Sequence, residues 1–164
     1  LMRATTPTLD DIHLTQLYAV LLHCQLEWPN FSFPLAESHH ALQRAYQRHE
    51  PSPSRLQRDV SAALHRIGWA HVFEHVTTEG FSLDLAQVNE RRAVEVDGPC
   101  HYLQGGPGHR TNGSTRFKSR LLRRLGWDVT HVPFFEWDAL QDNTAQDAYL
   151  RSRLVSSSLI AEFH

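Results

Sequence analysis

What this 164-residue chain lacks narrows it first. No apolar run approaches the roughly 20 residues that a membrane-crossing helix needs. The best candidate, Leu17 to Leu26, is short and is broken by His23, Cys24 and Gln25. There are two cysteines, Cys24 and Cys100, whose separation fits no metal-ligand spacing, so two free thiols in a reducing compartment are expected before a disulfide. Lysine is almost missing: arginine outnumbers it fifteen to one, and Lys118 is the single example. No secretory or transit signature opens the chain, and the first residue is Leu1, which points to a processed protein or a fragment of a longer one. A formal net charge of −2 does not by itself mark a surface for polyanions. An apolar content of 41% excludes a disordered chain and leaves room for one domain with a core plus a smaller appendage.

The distribution of charge says more than its sum. From Arg110 to Arg124 stand Arg110, Arg116, Lys118, Arg120, Arg123 and Arg124, with no acid among them. Phe117, Leu121 and Leu125 claim the inner face of a helix here, so the arginines cannot all point inward. A solvated helix face is the ordinary reading of such a run. Six cations without an acid favour a surface that tracks phosphates.

The hydrophobic spacing divides the chain. Residues 1–50 read as a helical hairpin, with helices over 10–27 and 34–49. Glu50-Pro51-Ser52-Pro53-Ser54 is a linker, and Ser54-x-x-Gln57 is a capping box that starts a helix through Ile67. Gly68 stands where a left-handed residue ends that helix. Strands follow over about 70–76, 81–86 and 92–98. Leu103 to Gly113 holds Gly105, Gly106, Pro107 and Gly108 and reads as a mobile loop. Thr115 is the expected cap of the next helix, 115–125, and Gly126-Trp127 repeats the Gly68-Trp69 ending. A fourth strand over 129–133, the segment Phe134-Phe135-Glu136-Trp137, and a last helix capped by Asn143 and running to Leu154 complete residues 54–155. Residues 156–164 form a tail without a readable pattern. This order predicts an α/β fold: a mixed four-stranded sheet, three strands antiparallel and the fourth parallel to the third, flanked by helices.

One strand organises the rest. In Arg92-Ala93-Val94-Glu95-Val96-Asp97-Gly98, alternation puts Ala93, Glu95 and Asp97 on one face and Val94 and Val96 on the other. In Phe81-Ser82-Leu83-Asp84-Leu85-Ala86, Asp84 faces away from the apolar residues. If the two strands are neighbours, Asp84, Glu95 and Asp97 meet on one side, where buried carboxylates need a cation or a hydrogen-bond donor.

An acid on the second strand and Glu-x-acid on the third resembles the PD-(D/E)XK nuclease fold. The narrower resemblance is to the RAP domain (RNA-binding domain abundant in apicomplexans) over about residues 56–140. It rests on Glu95-Val96-Asp97-Gly98-Pro99-x-His101, then Lys118-x-x-Leu121-Leu122-x-x-Leu125-Gly126-Trp127, then Val132-Pro133-x-x-Glu136-Trp137. The resemblance implies a relative of the very-short-patch-repair endonucleases. It also implies a location at the end of a helical-repeat array, as in octotricopeptide-repeat and Fas-activated serine/threonine kinase family proteins. The implied role is RNA processing, stability, translation or ribosome assembly in a mitochondrion or chloroplast, with rRNA or mRNA and ribonucleoprotein subunits as partners and no membrane.

In the nuclease family the strand acids hold a divalent cation that polarises the scissile phosphate. Asp84 and Glu95 match those positions and Mg²⁺ is the cofactor they would hold, with Asp97 and Lys118 beside them in a catalytic set. The family lysine two residues after the glutamate is replaced by Asp97, and Lys118 would have to reach back from the next helix. The alternative is binding without cleavage, with Asp97 capping the turn at Gly98, Glu95 paired with an arginine or His101, and Asp84 paired with Lys118. Candidate RNA contacts are His101, Tyr102, His109, Arg110, Arg116, Lys118, Arg120, Arg123 and Arg124. A permanent structural role in an organellar ribosome is the third reading.

Overall fold

The computed structural model describes residues 11–28, 30, 31, 42, 53–105 and 108–161. Residues 1–50 with 78–80 form one compact unit, and 51–77 with 81–164 form another. In the first, helix α1 spans Asp11–Glu27; of its apolar stripe Tyr18, Leu21 and Leu22 are buried and Leu14, Leu17 and Leu26 half-buried, and Cys24 is buried beside them. The second helix of the expected hairpin, 34–49, lies outside the described residues except for buried Leu42. Cys24 and Cys100 are both free thiols. Among the described residues no helix is long and apolar enough to cross a membrane.

The second unit opens with α2, Arg55–Arg66, and the predicted capping box is formed. Ser54 Oγ accepts from the Gln57 amide at 3.1 Å, and Gln57 Oε1 accepts from the Ser54 amide at 2.5 Å. Both otherwise unsatisfied donors at the helix start are thereby used. Strands β1 (Val72–Val76), β2 (Ser82–Gln87) and β3 (Arg92–Asp97) follow. After a 3-10 turn at Pro99–His101 come α3 (Gly113–Arg124), β4 (Asp128–Pro133), the short α4 (Phe134–Trp137) and α5 (Asn143–Ala161). The sheet order is β1-β2-β3-β4. The first three strands are antiparallel and β4 runs parallel to β3, as the chain order predicts.

Three helix boundaries differ from the sequence reading. Helix α3 begins two residues early and Asn112, not Thr115, is its cap, with Asn112 Oδ1 accepting from the Thr115 amide at 2.9 Å. An amide at the cap position serves the same free N–H that a hydroxyl there would serve, so one polar residue was mistaken for another a turn away. At α5 the Asp142 carboxylate accepts from the Ala145 amide at 2.8 Å, which makes Asp142 rather than Asn143 the cap. That helix continues to Ala161, into the segment expected to be tail.

Alternation along the central strands sorts the sheet into two faces. Leu85, Val94, Val96 and Val132 meet Val60, Ala63 and Leu64 of α2 and Leu150 and Leu154 of α5 in the main core, closed by Trp69 and Trp137. Those buried side chains supply most of the driving force for folding. The other face of β3 and β4 carries Glu95, Asp97 and His131, and α3 lies across it with Leu121 and Leu122 fully buried. Helix α3 ends against Gly126, whose φ of 83° is left-handed. The Trp127 amide then bonds back to the Leu122 carbonyl at 3.0 Å. Glycine is needed there because a Cβ is strained in that conformation. The same ending recurs at Gly68, with a φ of 80°, before buried Trp69.

Candidate nucleic-acid interface

The three strand acids do share one side of the sheet. The β2–β3 ladder sets Leu85 opposite Val94, and Asp84, one residue further along, turns its carboxylate onto the next strand. Its Oδ2 accepts from the Val96 amide at 2.7 Å, and its charge reaches Glu95. Glu95 is 3% exposed, and Lys118 Nζ sits 2.5 Å from its Oε2. Burial pushes the Glu95 carboxyl up to about 7; Lys118 pulls it down, and Asp84 pushes it up again.

Asp97 is 1% exposed and anchors a hydrogen-bonded chain. Its Oδ2 lies 2.8 Å from His131 Nδ1, and His131 Nε2 lies 2.8 Å from Ser119 Oγ. With the proton on Nδ1, His131 donates to the carboxylate and accepts from the serine hydroxyl, so both ring nitrogens are satisfied in one tautomer. His101 Nδ1 is 3.4 Å from Asp97 Oδ1 and 3.1 Å from Thr115 Oγ1. These contacts pin the 3-10 turn to the first turn of α3.

The partners correct the sequence reading. Lys118 does reach back from α3, and it pairs with Glu95. Glu95 therefore takes neither an arginine nor His101, and Asp97 holds two histidines instead of capping the turn. His131 is the member the sequence reading missed. The parallel register sets it opposite Glu95, 36 positions away. The available signal is an ionisable residue on the β4 face shared with Val129 and Pro133, opposite the face that carries core Val132.

This donor set is only partly engaged: Glu95 Oε1 and Asp97 Oδ1 are buried without a hydrogen-bond partner. Magnesium needs carboxylate oxygens free to face it. Here Asp84 Oδ2 is taken by an amide and Glu95 Oε2 by an ammonium. Among the described residues no group of three or more His, Cys, Asp or Glu is placed to hold a metal. Lys118 stands where the positive charge that offsets these acids is required.

Beside the acids, at the carboxyl ends of the parallel strands, opens a cleft of about 760 Å³. Its floor includes Asp97, Ser119 and His131. One wall is the stripe Arg116, Arg120 and Arg123 on α3, all exposed, with Arg120 over the Phe117 ring at 5.7 Å. Phe117, expected in the core, is only half-buried and lines this cleft. Tyr102, His109 and Phe135 give the same cleft an aromatic lining. Buried Tyr102 has its hydroxyl pushed above its ordinary range by burial and by the charges of Asp97 and Glu136. Glu136, which also lines the cleft, accepts from the Arg153 guanidinium and from the Tyr149 hydroxyl, the latter at 2.7 Å. Burial works against that charge, but those two donors hold the carboxyl below its usual range.

Of the candidate contacts, Tyr102, His109, Arg116, Arg120 and Arg123 line the cleft. His101 is tied to Asp97 and Thr115, and Lys118 to Glu95. Arg110 and Arg124 are exposed outside the lining. The glycine-rich loop is closed at its base: Tyr102 bridges to Thr111, and the Leu103 amide bonds to the Arg110 carbonyl at 2.8 Å. Gly106 and Pro107, at its middle, lie outside the described residues.

Together these features define a mixed α/β domain that presents a cationic and aromatic cleft beside a buried acid cluster. The family model of the RAP domain matches residues 94–153, a stretch that holds the cleft-lining residues. A curated relative from Oryza sativa subsp. japonica, a chloroplastic RAP domain-containing protein, is 28% identical over 148 residues. The match covers 87% of this chain and 22% of that relative.

Proposed function

We propose that this chain binds RNA through the cleft of its RAP domain and serves organellar RNA metabolism. The observation that carries the reading is the stripe of Arg116, Arg120 and Arg123 in a cleft that is also lined by the aromatic rings of Tyr102, His109 and Phe135. Spacing of four and three residues aligns three guanidinium groups on one side of α3, a row suited to successive phosphates. The chloroplastic relative supports an organelle as the site of action; the ligand in this reading is rRNA or mRNA. The RAP unit extends over 54–155, and α1 belongs to the end of a helical-repeat array.

Binding is favoured over cleavage by the pairing of Glu95. The Lys118 ammonium, 2.5 Å from Glu95 Oε2, occupies one of the two carboxylate oxygens and supplies positive charge where a metal ion would otherwise have to supply it. The acid cluster is thus a structural base that fixes α3, and α3 carries the arginines. Photocrosslinking of RNA containing 4-thiouridine, followed by peptide mapping, tests the reading. Crosslinks are expected within residues 102–135. Crosslinks confined to α2 and β1, or none, would contradict it.

A further inference from the structure

We propose that His109, stacked on Phe135, is a platform for one unpaired RNA base, so that the chain selects single-stranded over double-stranded RNA. This rests on the cleft being the RNA site and names the form of RNA it takes. The two rings lie 3.8 Å apart between centroids and 11° from parallel, the geometry of a stacked pair. Two further rings fix the orientation from the side. Tyr102 meets His109 at 6.0 Å and 80°, and Phe134 meets it at 5.9 Å and 84°. The backbone bridge from Tyr102 to Thr111 closes the loop that carries His109. His109 is nonetheless exposed, while Phe135 behind it is half-buried.

A flat ring with one face covered by a phenyl group and the other open to a cleft is a stack lacking its next member. Any nucleobase supplies that member, because every base has a π face. Only an unpaired base can do so, since both faces of a paired base are covered by its neighbours in the helix. The arginine stripe in the same cleft supplies the phosphate contacts that such a nucleotide needs. The cleft, at about 760 Å³, falls in the range of cavities that enclose small ligands, about 300–1,000 Å³. Loss of the ring should weaken binding by the stacking of one base, about 5- to 150-fold.

The test is fluorescence anisotropy on the full chain with three probes of about 12 nucleotides: a single strand, the same strand annealed to its complement, and the same sugar-phosphate chain without bases. Wild type should bind the single strand best. His109→Ala should weaken that binding by at least about fivefold and leave the abasic strand unchanged, while His109→Phe, which keeps a flat ring, should restore it. Circular dichroism confirms that the exposed substitutions leave the fold intact. If wild type binds none of the probes, the RNA reading itself is wrong and the platform goes with it. If wild type binds all three equally, or His109→Ala weakens single-stranded and abasic probes alike, RNA binding stands and the platform is refuted.

Discussion

Replacing Lys118 by Met should destabilise the protein by an amount that depends on pH in a particular direction. Glu95 is almost fully buried, and its carboxyl stands at about 7 in the fold, against an ordinary value of 4.5. An acid raised in this way favours the folded state when protonated, so its stabilising contribution is complete below about pH 4.5 and is lost as pH climbs through about 7. Lys118 opposes the upward push. Without it the folded value rises further, and the loss extends to higher pH. At pH 5.5 the acid is largely protonated in the fold of both proteins, and the variant should lose only packing and one hydrogen bond, about 1 kcal/mol. By pH 8.5 wild type has paid for ionising Glu95 beside an ammonium, and the variant must ionise it beside a thioether or keep its proton. Each unit of further rise adds about 1.4 kcal/mol, so the penalty should reach about 2–3 kcal/mol. That is below the 3–5 kcal/mol typical of breaking a fully buried pair, because the lysine side chain is 29% exposed. Urea unfolding followed by fluorescence of buried Trp69, Trp127 and Trp137 measures it at both pH values. Adding Glu95→Gln should remove the pH dependence. A Lys118→Met penalty that is equal at the two pH values, or larger in acid, would refute the reasoning.

Three other substitutions test the local framework. Asn112→Ala removes the cap of α3 and the amide bond to the Cys100 carbonyl. It should cost about 1–2 kcal/mol in urea unfolding, whereas Thr115→Val should keep the cap. Gly126→Ala places a Cβ at a φ of 83° and should cost about 1–3 kcal/mol. Gly113→Ala, with open space around its Cβ and no left-handed φ, should change stability by less than about 0.5 kcal/mol. Leu85→Ala empties a fully buried site between the sheet and α2 and should cost about 2–5 kcal/mol, seen as a lowered urea midpoint.

Much of this fold could be read from the chain because its signals are local. Alternation in 81–86 and 92–97, the Ser54–Gln57 box and the two Gly-Trp endings each act within a few residues, and each appears where expected. The helix caps were displaced because Asn112 and Thr115, or Asp142 and Asn143, offer similar oxygens close together. The acid cluster was legible as a cluster but not in its partners. Pairing Lys118 with Glu95 depends on how α3 lies across the sheet, and the His131 contact depends on a parallel register spanning a whole crossover. Neither quantity is encoded by spacing alone. The aromatic lining was half visible: Tyr102 and His109 were named as contacts, but Phe135 becomes their neighbour only through the loop bridge and the turn of α4.

The most direct measurement of the central claim is the salt dependence of single-stranded RNA binding, for wild type and for the variant with Arg116, Arg120 and Arg123 all changed to Gln. Each phosphate contact on a single strand contributes about 0.7 to the slope of log affinity against log salt. If the three guanidinium groups grip phosphates in the cleft, the variant should bind more weakly at low salt and its slope should be shallower by about 2. A variant with the wild-type affinity and slope would show that RNA, if bound at all, lies elsewhere on the chain.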